Sequence, residues 1–387
     1  MVGVLQYSLV DVYVNVNQIA NYGAKNQLSP TPKAHPMNAL ENQLTYPLAD
    51  TMPEPGCLME VASGVYWIRM ALPFALNHIN LWLLSDQLDG QEGWTVVDCC
   101  IDKPESRAQW QQIFDTQLQG MPILRVICTH MHPDHIGLAH WICAKWNVPL
   151  WISATDFHVA KLACQRTTTF GGDAAAAYFA LHGLVDPESI AQIKDRTGYY
   201  PALVPAVPAN YRRLMDGMQV AIGGQTWNCI SGYGHAPEHI ALHCVALNTL
   251  ISGDMILPRI STNVSVYETE PEGDSLTQFL ASIDKFKPLA HDTLVLPSHG
   301  KPFTGLHTRI DQLHSHHADR LAEVLEACTA KPHSAFDIVP IMFKRPLDLH
   351  QMTFAMGEAV AHLHALWHAG RLVRQTDADK VLRFRVL

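Results

Sequence analysis

The chain has 387 residues, of which 48% are hydrophobic and 16% charged, so it can bury a sizeable core and global disorder is not expected. Its formal net charge of −9 argues against a protein built mainly to coat nucleic acid, although a local basic patch stays open. Nine cysteines without a CxxC pair are typical of reduced thiols, so we predict a cytoplasmic protein. We expect no signal peptide and no membrane-spanning segment.

Residues 1–56 are predicted to form an N-terminal arm. Val10, Val12, Val14 and Val16 alternate with polar or aromatic residues, a pattern typical of an edge strand. Loops are predicted at the turn-rich segments SPTPKAHP and MPEPG. The arm could pack on its own domain or on a partner subunit, which leaves a homodimer open, or it could be a poorly structured leader.

From Val61 onwards, short apolar runs alternate irregularly with helical patterns. Strands are predicted at VYWIRM, HINLWLLS, WTVVDCC, ILRVICTH, PLWIS, WNCISGYG, IALHCVA, TLISGD and DTLVLPSHG. Helices are predicted at SRAQWQQIFDTQL, from about Asp134 to Trp146, over most of 155–215 with GGDAAAA as an internal loop, and at SLTQFLASIDKF. Because strands often follow one another in pairs, the order favours two sheets covered by helices over a doubly wound parallel sheet.

After Gly305 the pattern changes to a long helix, two further helices and a β-hairpin. These segments are RIDQLHSHHADRLAEVLEAC, AFDIVPIMF, MTFAMGEAVAHLHALWHAG and RLVRQTDADKVLRFRVL. Gly370 is a favourable C-cap for the last helix. The order suits a small winged-helix module, and we place its limits at 306–387.

The segment THMHPDHIGL concentrates strong metal ligands in the pattern H-x-H-x-D-H. His130 and His132 are two apart, so an extended segment can point both the same way. Packed together without a metal, these side chains would leave buried donors and charges unpaired. The candidate ligands in this segment and at the ends of three later strands are His130, His132, Asp134, His135, His235, Asp254 and His299. Each later residue alone could lie in an ordinary turn, cap or loop, but together the seven suffice for two metals that share one carboxylate.

The segments HMHPDH, GHAPEH, SGD and SHG, in this order, resemble the metallo-β-lactamase superfamily over about Val61–Phe303. The resemblance implies an α/β chain whose residues 57–305 fold as an αββα sandwich, with the metals at one edge between the sheets. It also implies the roles of the seven residues. The first metal is held by His130, His132 and His235, the second by Asp134, His135 and His299, and Asp254 bridges them.

Imidazoles and carboxylates without thiolate suit zinc first, and also iron or manganese. Two such ions about 3.5–4 Å apart lower the pKa of a shared water, which supplies hydroxide near neutral pH, and polarise the bond under attack. Asp134 is expected to bind the second metal and orient this water, the alternative being a helix N-cap. Asp98 and His239 are candidates for the hydrogen bonds that orient the ligating imidazoles.

Two positions depart from the family pattern. Cys99 stands where a D-T-G turn often has threonine, and we interpret it as a small buried filler rather than a catalytic thiol. Glu238 replaces the glycine common in GHxPGH, and we interpret it as an exposed charge.

The C-terminal segments GEAVAHLHALWHAG and RLVRQ resemble the winged helix that follows this catalytic domain in the β-lactamase-like 2 group, which includes an endoribonuclease. In that group the module frames one wall of the active-site cleft. Basic and acidic residues are roughly balanced here, which disfavours a nucleic-acid partner without excluding one.

Three functions remain open from the sequence. The first is a dinuclear metal hydrolase of a small ester, thioester or lactone, which the acidic charge and the helical insertion favour. The second is a phosphodiesterase or endoribonuclease, and the third is a non-hydrolytic di-iron oxidoreductase. The candidate substrate contacts are Arg259, Asn263 and Tyr233, and the candidates for an apolar contact are Phe170 and Phe179.

Overall fold

The computed structural model describes residues 40–74, 76–165 and 170–387. The edge strand predicted around Val10–Val16 therefore lies outside the described residues. The described end of the predicted arm contains a short 3₁₀ helix, Glu41–Gln43. Thr45 then pairs with Thr304 through two backbone hydrogen bonds of 3.1 and 2.8 Å, so this segment packs on its own chain.

The described residues form fourteen strands and ten α-helices. The strands are β1 (Met59–Ala62), β2 (Val65–Ala71), β3 (His78–Leu88), β4 (Gln91–Val97), β5 (Ile123–Ile127), β6 (Leu150–Ser153), β7 (Tyr211–Leu214), β8 (Gln219–Ile222), β9 (Gln225–Gly232), β10 (His239–Cys244), β11 (Thr249–Gly253), β12 (Leu294–Pro297), β13 (Leu372–Thr376) and β14 (Leu382–Val386). The helices are α1 (Pro104–Thr116), α2 (Pro133–Ile136), α3 (Ala139–Trp146), α4 (Ala154–Ala163), α5 (Gly172–Leu181), α6 (Pro187–Asp195), α7 (Ser275–Asp284), α8 (Leu306–Ala330), α9 (Ala335–Met342) and α10 (Leu349–His368).

Two sheets face each other in the centre of the molecule. The first has the order β1-β2-β3-β4-β5-β6-β7, antiparallel up to β4 and parallel from β4 to β7. The second has the order β12-β11-β10-β9-β8, antiparallel except for the β11–β12 pair. The hairpin of β13 and β14 forms a separate two-stranded sheet.

Strand alternation divides the apolar side chains into three layers of core. Trp67 and Trp82 point between the two sheets and pack with side chains of the second sheet, whereas Ile68 and Leu81 point to the outer face of the first sheet. On that outer face they meet α1, α3 and α4. Helices α5 to α10 share one core with the outer face of the second sheet, where α7 packs on β9. The predicted αββα sandwich with a C-terminal helical region is therefore confirmed.

The predicted helix from Asp134 to Trp146 is wrong as one element, because α2 ends at Ile136 and α3 begins at Ala139. Between them the chain packs tightly on the loop after β4. A Cβ at Gly137 would lie 2.6 Å from the carbonyl oxygen of Cys100, which also accepts the Leu138 N–H at 2.9 Å. The internal loop predicted at GGDAAAA is also wrong, because its alanines belong to α5, as their high helix propensity favours.

The C-terminal helices share one core with α5 and α7. Helix α10 approaches the loop after β11 so closely that a Cβ at Gly357 would lie 2.6 Å from the Ser265 hydroxyl. The limits of the domains at 57 and 305 and the winged-helix character stay predictions. None of the helices in the described ranges has the length and apolar character needed to cross a bilayer.

Candidate metal centre

The seven residues predicted as metal ligands lie together at one edge of the sandwich. Each comes from a segment that directly follows a strand, so the strand ends of both sheets meet at this point. His130 and His132 follow β5, Asp134 and His135 lie in α2, His235 follows β9, Asp254 follows β11 and His299 follows β12. All are buried except His132 and Asp134, which are partly exposed towards a cavity.

Three imidazoles form the first group, with their ring nitrogens in a triangle. Nε2 of His130 lies 2.9 Å from Nδ1 of His132 and 3.2 Å from Nε2 of His235. The latter two atoms are 3.1 Å apart. A shared proton can serve only one of these three contacts at a time. A cation inside the triangle would instead attract all three nitrogen lone pairs.

Asp254 joins this group to a second one. Its Oδ2 lies 3.3 Å from Nε2 of His235 and 3.6 Å from Nε2 of His135, and its Oδ1 lies 3.4 Å from Nε2 of His299. Oδ2 of Asp134 lies 3.4 Å from the same nitrogen of His299 and 3.7 Å from that of His135. The two compact groups of donor atoms are thus His130, His132, His235 and Asp254, and Asp134, His135 and His299.

The outer nitrogens of the imidazoles are held by hydrogen bonds that aim the inner nitrogens into the site. The Nδ1–H of His235 donates to the carbonyl oxygen of Asn263, and that of His299 donates to the carbonyl oxygen of His78, each at 2.8 Å. The Nδ1–H of His135 donates to Asp98 at 2.8 Å. Asp98, predicted for such a role, also accepts the backbone N–H of Thr129 at 2.8 Å.

His239, the other candidate for an orienting contact, supports Asp254 rather than an imidazole. Its Nε2 accepts the backbone N–H of Asp254 at 3.2 Å. A Cβ at Gly253 would lie 2.1 Å from this nitrogen, and the φ of Gly253 is +55°, so glycine is required for the contact. The ring of His239 therefore fixes the backbone that carries the Asp254 carboxylate.

The electrostatics of the site suit a cation. Burial lowers the pKa of His132 to about 3 and that of His130 well below its usual value, so both imidazoles are neutral, as ligands must be. Burial opposes a charge on His299, but Asp254 and Asp134 raise its pKa to about 9. Burial likewise opposes a charge on Asp254, but His299 and His135 hold its pKa well below the usual range. The carboxylates thus attract positive charge, which divalent ions would supply in place of protons.

Two buried atoms inside the site have no hydrogen-bond partner in the described part of the chain: Nε2 of His135 and Oδ1 of Asp254. Leaving such atoms unsatisfied is costly. Nitrogen and carboxylate oxygen are donors that zinc, iron and manganese accept. The residues of both groups therefore fit a metal centre.

Asp156 is a supporting residue that sequence reasoning missed. Its buried carboxylate accepts the backbone N–H of Met131, between two candidate ligands, at 2.8 Å, and that of Glu238, three residues after His235, at 2.6 Å. Tyr200 donates its hydroxyl to the Met131 carbonyl at 2.6 Å. These contacts join two loops that are distant in sequence, so no local pattern could have indicated them.

Replacing Asp156 by asparagine is expected to lower the free energy of unfolding by about 1–3 kcal/mol, because the amide has one acceptor oxygen and its NH₂ would face a buried donor. Metal affinity should fall with it, since the two ligand loops lose their common anchor. Urea unfolding and metal titration measure both effects. The matched control is Asp186→Asn, because Asp186 accepts the Ser189 N–H at an exposed helix N-terminus, where asparagine serves as well. Equal losses in the two variants would contradict this role of Asp156.

A small cavity of about 30 Å³ opens onto the donor atoms. Asn263 lines it together with His132, Asp134, His235 and Asp254, and its walls include Phe170. Neither Arg259 nor Tyr233 is among its described lining residues: Arg259 lies 4.0 Å from Glu41, and the backbone of Tyr233 bonds Ser282. Phe179 belongs to the core under the second sheet. Of the three predicted substrate contacts, the structure brings Asn263 alone to the cavity.

The two departures from the family pattern lie beside the centre without entering it. Cys99 is fully buried, and burial raises the pKa of its thiol, in keeping with a filler. Glu238 is partly exposed and accepts a hydrogen bond from Thr155 at 3.0 Å.

Asp134 lies in the first turn of α2, whose N-cap is His132, so the alternative role of Asp134 as the N-cap does not fit.

Comparison with known proteins places the chain beside metal-dependent hydrolases. The family model described as "Metallo-beta-lactamase superfamily" matches residues 77–299, and that described as "Metallo-beta-lactamase-like, C-terminal domain" matches residues 321–387. The probable metallo-hydrolase YqjP of Bacillus subtilis (strain 168) is 23% identical over 308 residues, which cover 77% of this chain and 91% of that protein.

Two solved structures resemble most of the chain. A beta-lactamase domain protein from Burkholderia ambifaria is 55% identical, with a TM-score of 0.86 over 90% of this chain and 100% of that one. A metallo-beta-lactamase family protein from Thermus thermophilus is 24% identical, with a TM-score of 0.68 over 85% of this chain and 100% of that one, and shows the fold alone.

Proposed function

Since this chain belongs to the metallo-beta-lactamase superfamily, we propose that it is a hydrolase that uses two divalent metal ions to cleave a small ester, thioester or lactone. The observation that carries the proposal is the carboxylate of Asp254. Its Oδ2 faces an imidazole of each donor group, at 3.3 Å from His235 and 3.6 Å from His135. A carboxylate in this position suits a bridge between two ions.

Different residues of the chain would bind the metals, orient the water and hold the ligands in place. Bound at the two groups, zinc, iron or manganese would supply an activated water and polarise the bond under attack. Asp134 projects from the first turn of α2 at the edge of the cavity and so can orient that water. The Asn263 carbonyl accepts a hydrogen bond from His235, and the Asp98 carboxylate accepts one from His135. These bonds would keep the two imidazoles oriented towards the metals during turnover.

The cavity walls support a small acyl substrate over a nucleic acid. Leu72, Phe74, Phe170 and Phe354 give the cavity apolar and aromatic walls, and its described lining includes no lysine or arginine. The net charge of −9 also disfavours a polyanionic strand as the substrate. An apolar acyl group would instead be stabilised by burial.

The proposed substrate class is tested with a panel of thioesters, esters, lactones, phosphodiesters and short RNA. We expect turnover of at least one of the first three substrates and none of RNA. Cleavage of phosphodiesters or RNA alone would favour an endoribonuclease of the β-lactamase-like 2 type. Oxygen consumption by iron-loaded protein without any hydrolysis would favour a di-iron oxidoreductase.

Removing metal with a chelator is expected to lower hydrolysis by at least about 10²-fold, because the activated water is lost. Adding back zinc, iron or manganese should restore activity. The hydrolysis rate is measured before and after dialysis against the chelator, and the metal content is measured on the same samples. Unchanged hydrolysis by protein that contains less than one ion per ten chains would contradict metal dependence.

A further inference from the structure

The cavity at the donor atoms, of about 30 Å³, has room for little more than water. A substrate whose reacting bond lies there must therefore extend into the neighbouring space. In the described part of the chain, two larger cavities share walls with it. One has a volume of about 130 Å³ and the other about 570 Å³.

The smaller neighbour, here named the acyl pocket, meets the centre at His132, Phe170 and His235. Its remaining walls combine apolar side chains, among them Val159 and Val266, with several uncharged polar ones. Its described lining contains no lysine or arginine, and Glu270 gives it a negative charge. Its size and polarity suit a short uncharged group.

The larger neighbour, here named the cationic pocket, meets the centre from the other side, where Phe74 and Tyr199 line both cavities. It contains Lys103 and Arg196, and its volume is in the range of sites for metabolite-sized ligands. The metal centre thus lies between a small pocket without basic residues and a large one with two.

The two cations have neutral partners within the chain. Arg196 donates to the carbonyl oxygen of Phe170 at 2.7 Å and to the Thr353 hydroxyl at 3.3 Å, and lies 3.3 Å from a ring nitrogen of His350. Lys103 donates to the carbonyl oxygen of Ala202 at 3.5 Å. Neither forms an ion pair with a carboxylate of the described residues.

Two acidic residues, Asp195 and Asp348, also line the cationic pocket, and both are exposed. The carboxylate of Asp348 is engaged as the N-cap of α10, where it accepts the Gln351 N–H at 2.8 Å. The half-buried guanidinium of Arg196 therefore keeps charge available for an anion, and a carboxylate or phosphate is its natural partner.

We propose that the substrate is an acyclic ester or thioester with a short acyl group in the acyl pocket and an anionic leaving group in the cationic pocket. This inference rests on the proposed hydrolase function and assigns the substrate's two ends. In the reaction, water oxygen bonds to the acyl carbon, and the bond from that carbon to sulfur or oxygen breaks. The products are the short carboxylate, a proton and the anionic thiol or alcohol.

The test compares three propionyl thioesters with different leaving groups. Coenzyme A carries phosphates, glutathione carries carboxylates, and N-acetylcysteamine is neutral. Lys103→Gln and Arg196→Gln are each expected to raise KM by about tenfold for an anionic thioester, the loss of one charged hydrogen bond, and by less than about twofold for the neutral one. Lys331→Gln, which removes an exposed charge outside both pockets, should leave KM unchanged for both kinds of thioester.

The outcomes separate this inference from the proposed function. Equal changes in KM for anionic and neutral thioesters, or no change, would overturn the assignment of the leaving group while leaving the hydrolase intact. No hydrolysis of any thioester, ester or lactone by the metal-loaded protein would overturn the proposed function itself. A selective effect confined to coenzyme A or to glutathione would identify phosphate or carboxylate as the recognised anion. Lys103→Gln keeps the test valid if Arg196→Gln fails to fold, because among the described residues the Lys103 ammonium has only a 3.5 Å contact with the Ala202 carbonyl to lose.

Discussion

Replacing Asp254 by asparagine is expected to lower kcat by about 10³-fold, the upper end of what losing one key electrostatic group costs. Its carboxylate oxygens lie 3.3–3.6 Å from the inner nitrogens of His235, His135 and His299. Asparagine keeps the size of the side chain but loses its charge, and its NH₂ group cannot bridge two cations. Metal content should therefore fall as well, from two ions per chain towards one.

Steady-state kinetics and metal analysis of the same preparation measure both effects. The matched control is Asp319→Asn, which makes the same chemical change on the exposed face of α8 and should leave kcat and metal content unchanged. A circular-dichroism spectrum shows whether the variant is folded. A folded Asp254→Asn variant with two ions and a kcat within about tenfold of the wild type would contradict the bridging role.

Replacing Asp134 by asparagine is expected to lower turnover by about 10²-fold or more. Oδ2 of Asp134 lies 3.4 Å from Nε2 of His299 and 3.7 Å from Nε2 of His135, so it completes the second donor group. Burial opposes a charge on this carboxyl, but His135 and His299 lower its pKa, so it is ionised at neutral pH. Asparagine removes the charge that offsets the second ion and holds the water.

A folding check on this variant separates catalysis from structure. Since His132 and not Asp134 is the N-cap of α2, asparagine should leave the helix start intact. The circular-dichroism spectrum should therefore match that of the wild type, while kcat falls. Hydrolysis at a near wild-type rate with both metals retained would remove Asp134 from the catalytic machinery.

The ligand cluster could be predicted from sequence because each ligand follows a strand within a few residues. His130 and His132 lie just past β5, and His299 lies just past β12. Their distance from the strand end therefore places these side chains at the edge where the two sheets meet. The sandwich could be predicted for the same reason, since apolar runs such as ILRVI mark strands buried on both faces. Strands β7 and β8 have only four residues each, too few to show a distinct pattern, and were missed.

Long-range supports could not be predicted. Asp156 accepts from Met131 and from Glu238, and nothing in the sequence around Asp156 indicates that these two loops meet on one carboxylate. The loop after β11 was expected near the cleft, yet sequence could not say which of its side chains turn inward. Asn263 lines the cavity, whereas Arg259 lies 4.0 Å from Glu41.

Anomalous diffraction from crystals of the metal-loaded protein, measured across the zinc, iron and manganese absorption edges, would locate the ions. We expect two peaks about 3.5–4 Å apart. One should lie among His130, His132 and His235, the other among Asp134, His135 and His299, with Asp254 between them. A single peak, or peaks outside these seven side chains, would contradict a dinuclear centre at this edge of the sandwich.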